Sequence, residues 1–72
     1  MDSDNLIRMA NQIGQFYESM PDRAEAMRDM VTHLKKFWDP RMRQAFLARV
    51  DSGDHGLSPM VLGAVQAHRD ML

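Results

Sequence analysis

The sequence predicts an all-α fold, a small orthogonal bundle of about four short helices that form one domain over residues 1–72. Proline occurs only at positions 21, 40 and 59, and the first turn of a helix accepts proline because its N–H would be unpaired there. Apolar residues between the prolines recur three and four apart, as on one face of a helix. No segment alternates polar and apolar residues over a strand length, so no sheet is expected. The expected helices are 4–20, 22–37, 40–50 and 59–70.

The first expected helix has one apolar and one polar side. Ser3 or Asp4 can cap its start through a side-chain oxygen. Arg8 and Gln12 fall opposite the apolar side, with Asn11 beside them. The residues expected to face inward are Leu6, Met9, Ala10, Ile13, Phe16, Tyr17 and Met20.

The second expected helix is apolar over an unusually wide arc. Asp22 and Glu25 stand at the spacing of a capping box. One stripe, expected to face the core, contains Ala24, Met27, Val31, Leu34 and Trp38. A second stripe of Ala26, Met30 and Phe37 widens the apolar side to about 160°. Either this helix lies in the middle of the bundle, or Met30 and Phe37 contact another protein.

The last two helices begin at similar signals. Asp39 caps the third helix before Pro40, and Ser58 caps the fourth before Pro59. A glycine-rich loop over residues 51–56 separates them. The residues expected to face inward are Met42, Ala45, Phe46, Leu47, Val50, Val61, Leu62, Val65 and Leu72.

Composition and motifs argue against chemistry in this chain. It has no cysteine, which excludes disulfides and thiolate metal sites. Phosphate-binding and dinucleotide-binding glycine motifs are missing, as is a His-Glu-x-x-His metal motif. The three histidines do not share the spacing of a metal site, and the loop over residues 51–56 departs from the calcium-loop template. We therefore expect no catalytic residue, no bound metal and no bound cofactor.

A basic segment surrounds Phe37 and Trp38, and it admits three interpretations. It is a solvated face, a protein interface rich in the Trp and Arg of binding hot spots, or part of a helix-turn-helix that reads DNA with Arg41 and Arg43. Two features argue against DNA binding. The net charge is −1, and Asp39 would lie near the phosphates of the DNA.

Three stretches of the chain together resemble one protein family. Leu6-Ile-Arg-Met-Ala-Asn-Gln-Ile13 is similar to the opening helix of the delta subunits of NAD-dependent, molybdenum-containing formate dehydrogenases. Lys36-Phe-Trp-Asp-Pro-Arg-Met-Arg43 resembles the central signature of that family and is the most specific part. Gly56-Leu57, followed by Pro59, resembles the start of its last helix. The order, spacing and length agree over nearly the whole chain.

The resemblance implies a non-catalytic accessory subunit. In such enzymes a large subunit holds the molybdenum pterin and iron–sulfur clusters, and other subunits pass electrons through further clusters and FMN to NAD. The delta subunit binds none of these groups and supports assembly, cofactor loading or stability. We therefore expect a cytoplasmic protein that docks on the large catalytic subunit. We do not expect it to bind a membrane or nucleic acid.

Ten residues are candidates for contact with the partner. They lie on the polar side of the first helix, on the second apolar stripe and at the joint between helices two and three. An alternative places Trp38 in the core and the first-helix residues on a solvated face. Two other functions stay open, a helix-turn-helix-like DNA-binding regulator and a transient assembly chaperone. The candidates are Arg8, Asn11, Gln12, Met30, Phe37, Trp38, Asp39, Pro40, Arg41 and Arg43.

Overall fold

The structure, a computed structural model, describes residues 2–72, so Met1 lies outside it. Over these residues the chain forms helices and no strand, which confirms the predicted small all-α bundle. A short 3₁₀ turn, Arg69–Met71, follows the last helix. The helices are α1 (Ser3–Glu18), α2 (Arg23–Phe37), α3 (Pro40–Asp51) and α4 (Pro59–Ala67).

Each helix begins at a side-chain cap, and local sequence predicts three of the four. The caps of α2, α3 and α4 are the expected Asp22, Asp39 and Ser58. The cap of α1 is Asp2 rather than Ser3 or Asp4, and its carboxylate accepts a hydrogen bond from the backbone N–H of Asp4. Such caps satisfy N–H groups that have no partner within the helix.

Two helices end earlier than predicted. The first stops at Glu18 rather than at residue 20. The fourth stops at Ala67, because His68 leaves the helical conformation at φ −125° and the chain continues as the 3₁₀ turn. In the loop between α3 and α4, Gly53 and Gly56 take positive φ values of 83° and 68°, a conformation that favours glycine.

The core is formed by all four helices, and α2 packs against both α1 and α4. Met30 of α2 is fully buried, so the expectation that it contributes to an exposed contact surface is wrong. Its sulfur lies beneath Gly14 of α1, 3.9 Å from where a Cβ on that glycine would stand. Buried members are Leu6, Ile7, Ala10, Ala26, Met30, Val31, Leu34, Trp38, Phe46, Met60, Val61, Ala64 and Val65.

The buried face of α2 also differs from the predicted stripe at its first residue. Ala24 was expected in the core but is exposed. It lines an open cleft with Met27 and Ala67, because α4 ends there and leaves the start of α2 uncovered. Within residues 2–72, no helix has both the length and the hydropathy that crossing a bilayer requires.

Candidate interaction surface

Two large apolar side chains stay outside the core. Phe16 is 73% exposed and Phe37 is 71% exposed. A single exposed apolar residue is ordinary on a protein surface, whereas a connected group of them points to a contact with another molecule. The question is therefore whether Phe16 and Phe37 belong to one connected apolar surface.

The rings between them form a continuous chain across α1 and α2. Phe16 meets Tyr17 edge-on with ring centroids 5.2 Å apart. Tyr17 meets His33 at 6.3 Å, and His33 meets Phe37 at 4.7 Å. We call Phe16, Tyr17, His33 and Phe37 the aromatic strip. It joins the two exposed phenylalanines through two half-buried rings.

Helix geometry explains how each ring reaches this surface. Phe16 and Tyr17 are consecutive, so their side chains leave α1 about 100° apart. Tyr17 packs against the core cluster and Phe16 turns outward, which makes the prediction that Phe16 faces inward wrong. His33 and Phe37 are four residues apart and therefore lie on one side of α2. Phe37 is exposed as a contact residue must be, and its contact role stays a prediction.

A small cleft of about 250 Å³ opens along the aromatic strip. It contains two charged groups of opposite sign, Asp29 and Lys36. Within residues 2–72 the ion pairs at 4.0 Å or less join Arg49 to Asp4 and Arg69 to Asp51. Asp29 and Lys36 take part in neither pair. The lining residues are Tyr17, Asp29, Thr32, His33, Lys36 and Phe37.

The joint between α2 and α3 is mostly structural. Trp38 is 4% exposed and packs edge-on against Phe46 at a centroid distance of 5.3 Å, so the alternative that placed it in the core is correct. The carboxylate of Asp39 accepts a hydrogen bond of 3.0 Å from the backbone N–H of Met42. Pro40, the first residue of α3, is exposed.

The two arginines after this joint behave differently. Arg43 donates from Nη1 to the backbone carbonyls of Lys35 at 3.1 Å and Trp38 at 2.6 Å. It thus satisfies carbonyls at the end of α2 that lack helical partners. This contradicts the expectation that Arg43 points outward toward a partner. Arg41 is exposed.

The polar candidates on α1 divide in the same way. Arg8 and Gln12 are exposed, and four-residue spacing places them in line with Phe16. Asn11 instead holds the start of α4. Its Nδ2 donates to the carbonyl of Gly56 at 3.1 Å, and its Oδ1 accepts from the backbone N–H of Ser58 at 3.0 Å. A residue predicted as a contact is therefore an internal clamp.

The loop once compared with a calcium site is occupied by internal contacts. Asp51 binds the guanidinium of Arg69 through two hydrogen bonds of 2.8 Å, and these hold the pKa of the Asp51 carboxyl below its ordinary value. The ring Nδ1 of His55 accepts from the backbone N–H of Leu57 at 3.0 Å. In the described part of the chain, no three side chains of His, Asp or Glu gather as metal ligands would.

Comparison with protein families provides the identity. The family model described as "NADH-dependant formate dehydrogenase delta subunit FdsD" matches residues 5–65 of this chain. That range contains α1 except its first two residues, all of α2 and α3, and the first seven residues of α4. The aromatic strip also lies within it. Curated proteins gave no match, and solved structures gave none. Because the match spans most of its length, the chain belongs to the family of delta subunits of NADH-dependent formate dehydrogenases.

Proposed function

We propose that this chain is a non-catalytic accessory subunit of a cytoplasmic formate dehydrogenase. It docks on the large catalytic subunit and supports assembly, cofactor loading or stability of the complex. The observation that carries the proposal is the aromatic strip, which keeps Phe16 and Phe37 in solvent at 73% and 71% exposure in a chain of a subunit family.

The composition of this surface suits a protein partner. Aromatic side chains are enriched in interfaces, and a few of them supply most of the binding free energy. Burying a phenylalanine side chain contributes roughly 1.5–3 kcal/mol relative to leaving it in water. The two exposed rings do not make this contribution while they stay in water. A docked partner would recover that contribution. Arg8 and Gln12, exposed in line with Phe16, would then form part of the polar rim.

In the proposed complex, the other subunits hold the cofactors. Molybdenum pterin, iron–sulfur clusters, FMN and NAD would all be held elsewhere in the complex. A chain without cysteine has no thiolate for an iron–sulfur cluster. Its contribution would be made through contact alone.

DNA binding is the weaker alternative. A recognition helix needs free side chains at its start to reach base edges. Arg43 is engaged with the carbonyls of Lys35 and Trp38, and Asp39 places a carboxylate at the same helix start. Both features argue against α3 as a DNA recognition helix.

The test compares the enzyme expressed with this chain, without it, and with the double variant Phe16→Ser, Phe37→Ser. We expect the enzyme without the chain to have less molybdenum and less formate oxidation activity, and the double variant to behave like the missing chain. The reason is that serine removes the apolar contact while leaving the helices intact. The measurements are metal content by elemental analysis, activity, and co-purification.

The matched control is Ala24→Ser. Ala24 precedes His33 by nine residues, or about two and a half helical turns, and therefore faces the opposite side of α2. Far-UV circular dichroism confirms that each variant is folded. Equal metal content, activity and thermal stability with and without the chain would contradict the accessory role, and a salt-dependent shift of duplex DNA would favour the alternative.

A further inference from the structure

We infer that the cleft on the aromatic strip receives an arginine side chain of the partner protein, whose guanidinium lies against the rings and pairs with Asp29. This inference rests on the proposed function, because it names the chemistry by which the docking partner is recognised. It follows from the size of the cleft and from its charges.

The size of the cleft suits one side chain. Its volume of about 250 Å³ falls below the range of about 300–1,000 Å³ that is usual for small-molecule sites. It is open along the surface between α1 and α2, so a side chain from a second protein can enter without any movement of the helices. A single long side chain is therefore a better occupant than a free metabolite.

Most of the groups that line the cleft attract a cation. The rings of Tyr17, His33 and Phe37 line it, and the faces of phenyl and phenol rings carry negative charge density that attracts guanidinium groups. Asp29 adds a carboxylate that is half-buried and outside both ion pairs of residues 2–72. A planar guanidinium can stack on a ring and bind a carboxylate at the same time.

Thr32 contributes a further acceptor to the cleft. The hydroxyl of Thr32 donates its hydrogen to the carbonyl of Arg28 at 2.9 Å. Thr32 lines the cleft, and because its hydrogen is already donated, its hydroxyl can offer an occupant only lone pairs. Guanidinium has donors and no acceptor, so it can bind the Thr32 hydroxyl, whereas a carboxylate would find no donor at Thr32.

Lys36 opposes a cation in the cleft, but its charged group can turn away from it. Its side chain is exposed, and the long aliphatic stem of a lysine lets the ammonium group turn to water while the stem stays on the surface. Asp29 has a short side chain and cannot withdraw in this way. The net preference of the cleft is therefore for positive charge.

Two neutralising substitutions test the inference because only one of them should weaken binding. Asp29→Asn should weaken binding of this chain to the enzyme purified without it by about tenfold, through loss of the charge pair. Lys36→Gln should leave the affinity unchanged or increase it, since it removes a repulsion. The measurement is isothermal titration calorimetry at one pH and one salt concentration.

The controls make the same two charge changes at exposed positions outside the cleft. Asp70→Asn changes the net charge as Asp29→Asn does, and Lys35→Gln changes it as Lys36→Gln does. Lys35 is adjacent to Lys36 but does not line the cleft. Both controls should bind like the unchanged chain. If Asp29→Asn tightens binding and Lys36→Gln weakens it, the occupant is a carboxylate and the inference is wrong.

The outcome also separates this inference from the proposed function. If neither neutralising change alters affinity while Phe16→Ser with Phe37→Ser abolishes binding, the strip docks through apolar contact alone and only the inference fails. If the double serine variant binds as well as the unchanged chain, docking through the strip fails together with the inference.

Discussion

At the scale of single residues, two glycines inside helices differ in what a methyl group would meet. A Cβ on Gly14 would stand 2.4 Å from Cγ2 of Val61, and a Cβ on Gly63 would stand 2.9 Å from the terminal methyl of Met27. Val61 is fully buried and stiff at its branched carbon. Met27 is partly buried and has a flexible end that can move aside.

Gly14→Ala should therefore destabilise the fold although alanine favours helix. Overpacking a core costs about 1–3 kcal/mol, against about 1 kcal/mol gained in helix propensity. Gly63→Ala should be neutral or stabilising by up to about 1 kcal/mol. Chemical denaturation of both variants measures the two free energies of unfolding. Equal stability of the two variants would mean that α1 and α4 do not pack as closely at Gly14 as the structure places them.

Residue by residue, the sequence could not predict the aromatic strip. Phe16 and Tyr17 are adjacent and both apolar enough to extend the same helical face, so periodicity places both inward. Their different exposures depend on where α2 crosses α1, which is set by contacts distant in sequence. Met30 shows the converse error, since a wide apolar arc fits equally a central helix and an exposed face. The sequence shows how wide the apolar arc is, but only the packing of the helices determines which part of it is buried.

At the scale of elements, the sequence was informative wherever the determining contact is local. The caps Asp22, Asp39 and Ser58 each bond a backbone N–H three residues away, so their role is legible from the neighbouring sequence. Asn11 bonds residues 45 and 47 positions away, and no local pattern reveals it. Arg43 likewise reaches back to α2 across the joint.

The clamp made by Asn11 leads to a prediction about the start of α4. Asn11→Ala removes the acceptor of the Ser58 N–H and the donor to the Gly56 carbonyl. An unmade hydrogen bond at a partly buried group costs about 1–3 kcal/mol. In a domain of this size each kcal/mol lowers the melting temperature by roughly 4–8 °C. Thermal unfolding followed by circular dichroism gives the shift.

The adjacent residue provides the control for that clamp. Gln12 is exposed, so Gln12→Ala should change the melting temperature little, since surface substitutions usually stay within about 0.5 kcal/mol. If Asn11→Ala melts at the same temperature as Gln12→Ala, the loop before α4 is held by other contacts and the clamp contributes nothing measurable.

At the scale of the whole molecule, the chain combines a small core with an uncovered aromatic surface. A domain of 72 residues without cysteine has a low free energy of unfolding, because a core of this size supplies only about 3–5 kcal/mol of net stability. A partner present at a hundred times its dissociation constant would add about 2.7 kcal/mol. The proposed docking contact would thus also stabilise this chain.

Docking through the aromatic strip can be tested by site-specific photo-crosslinking within the assembled enzyme. A photoreactive phenylalanine analogue replaces Phe16, Phe37 or, as the control on the opposite face of α2, Ala24. After illumination the crosslinked partner is identified by mass spectrometry. We expect crosslinks to the catalytic subunit from positions 16 and 37 and none from position 24. Crosslinks from position 24 alone would contradict docking through the strip and would place the interface on the other side of the bundle.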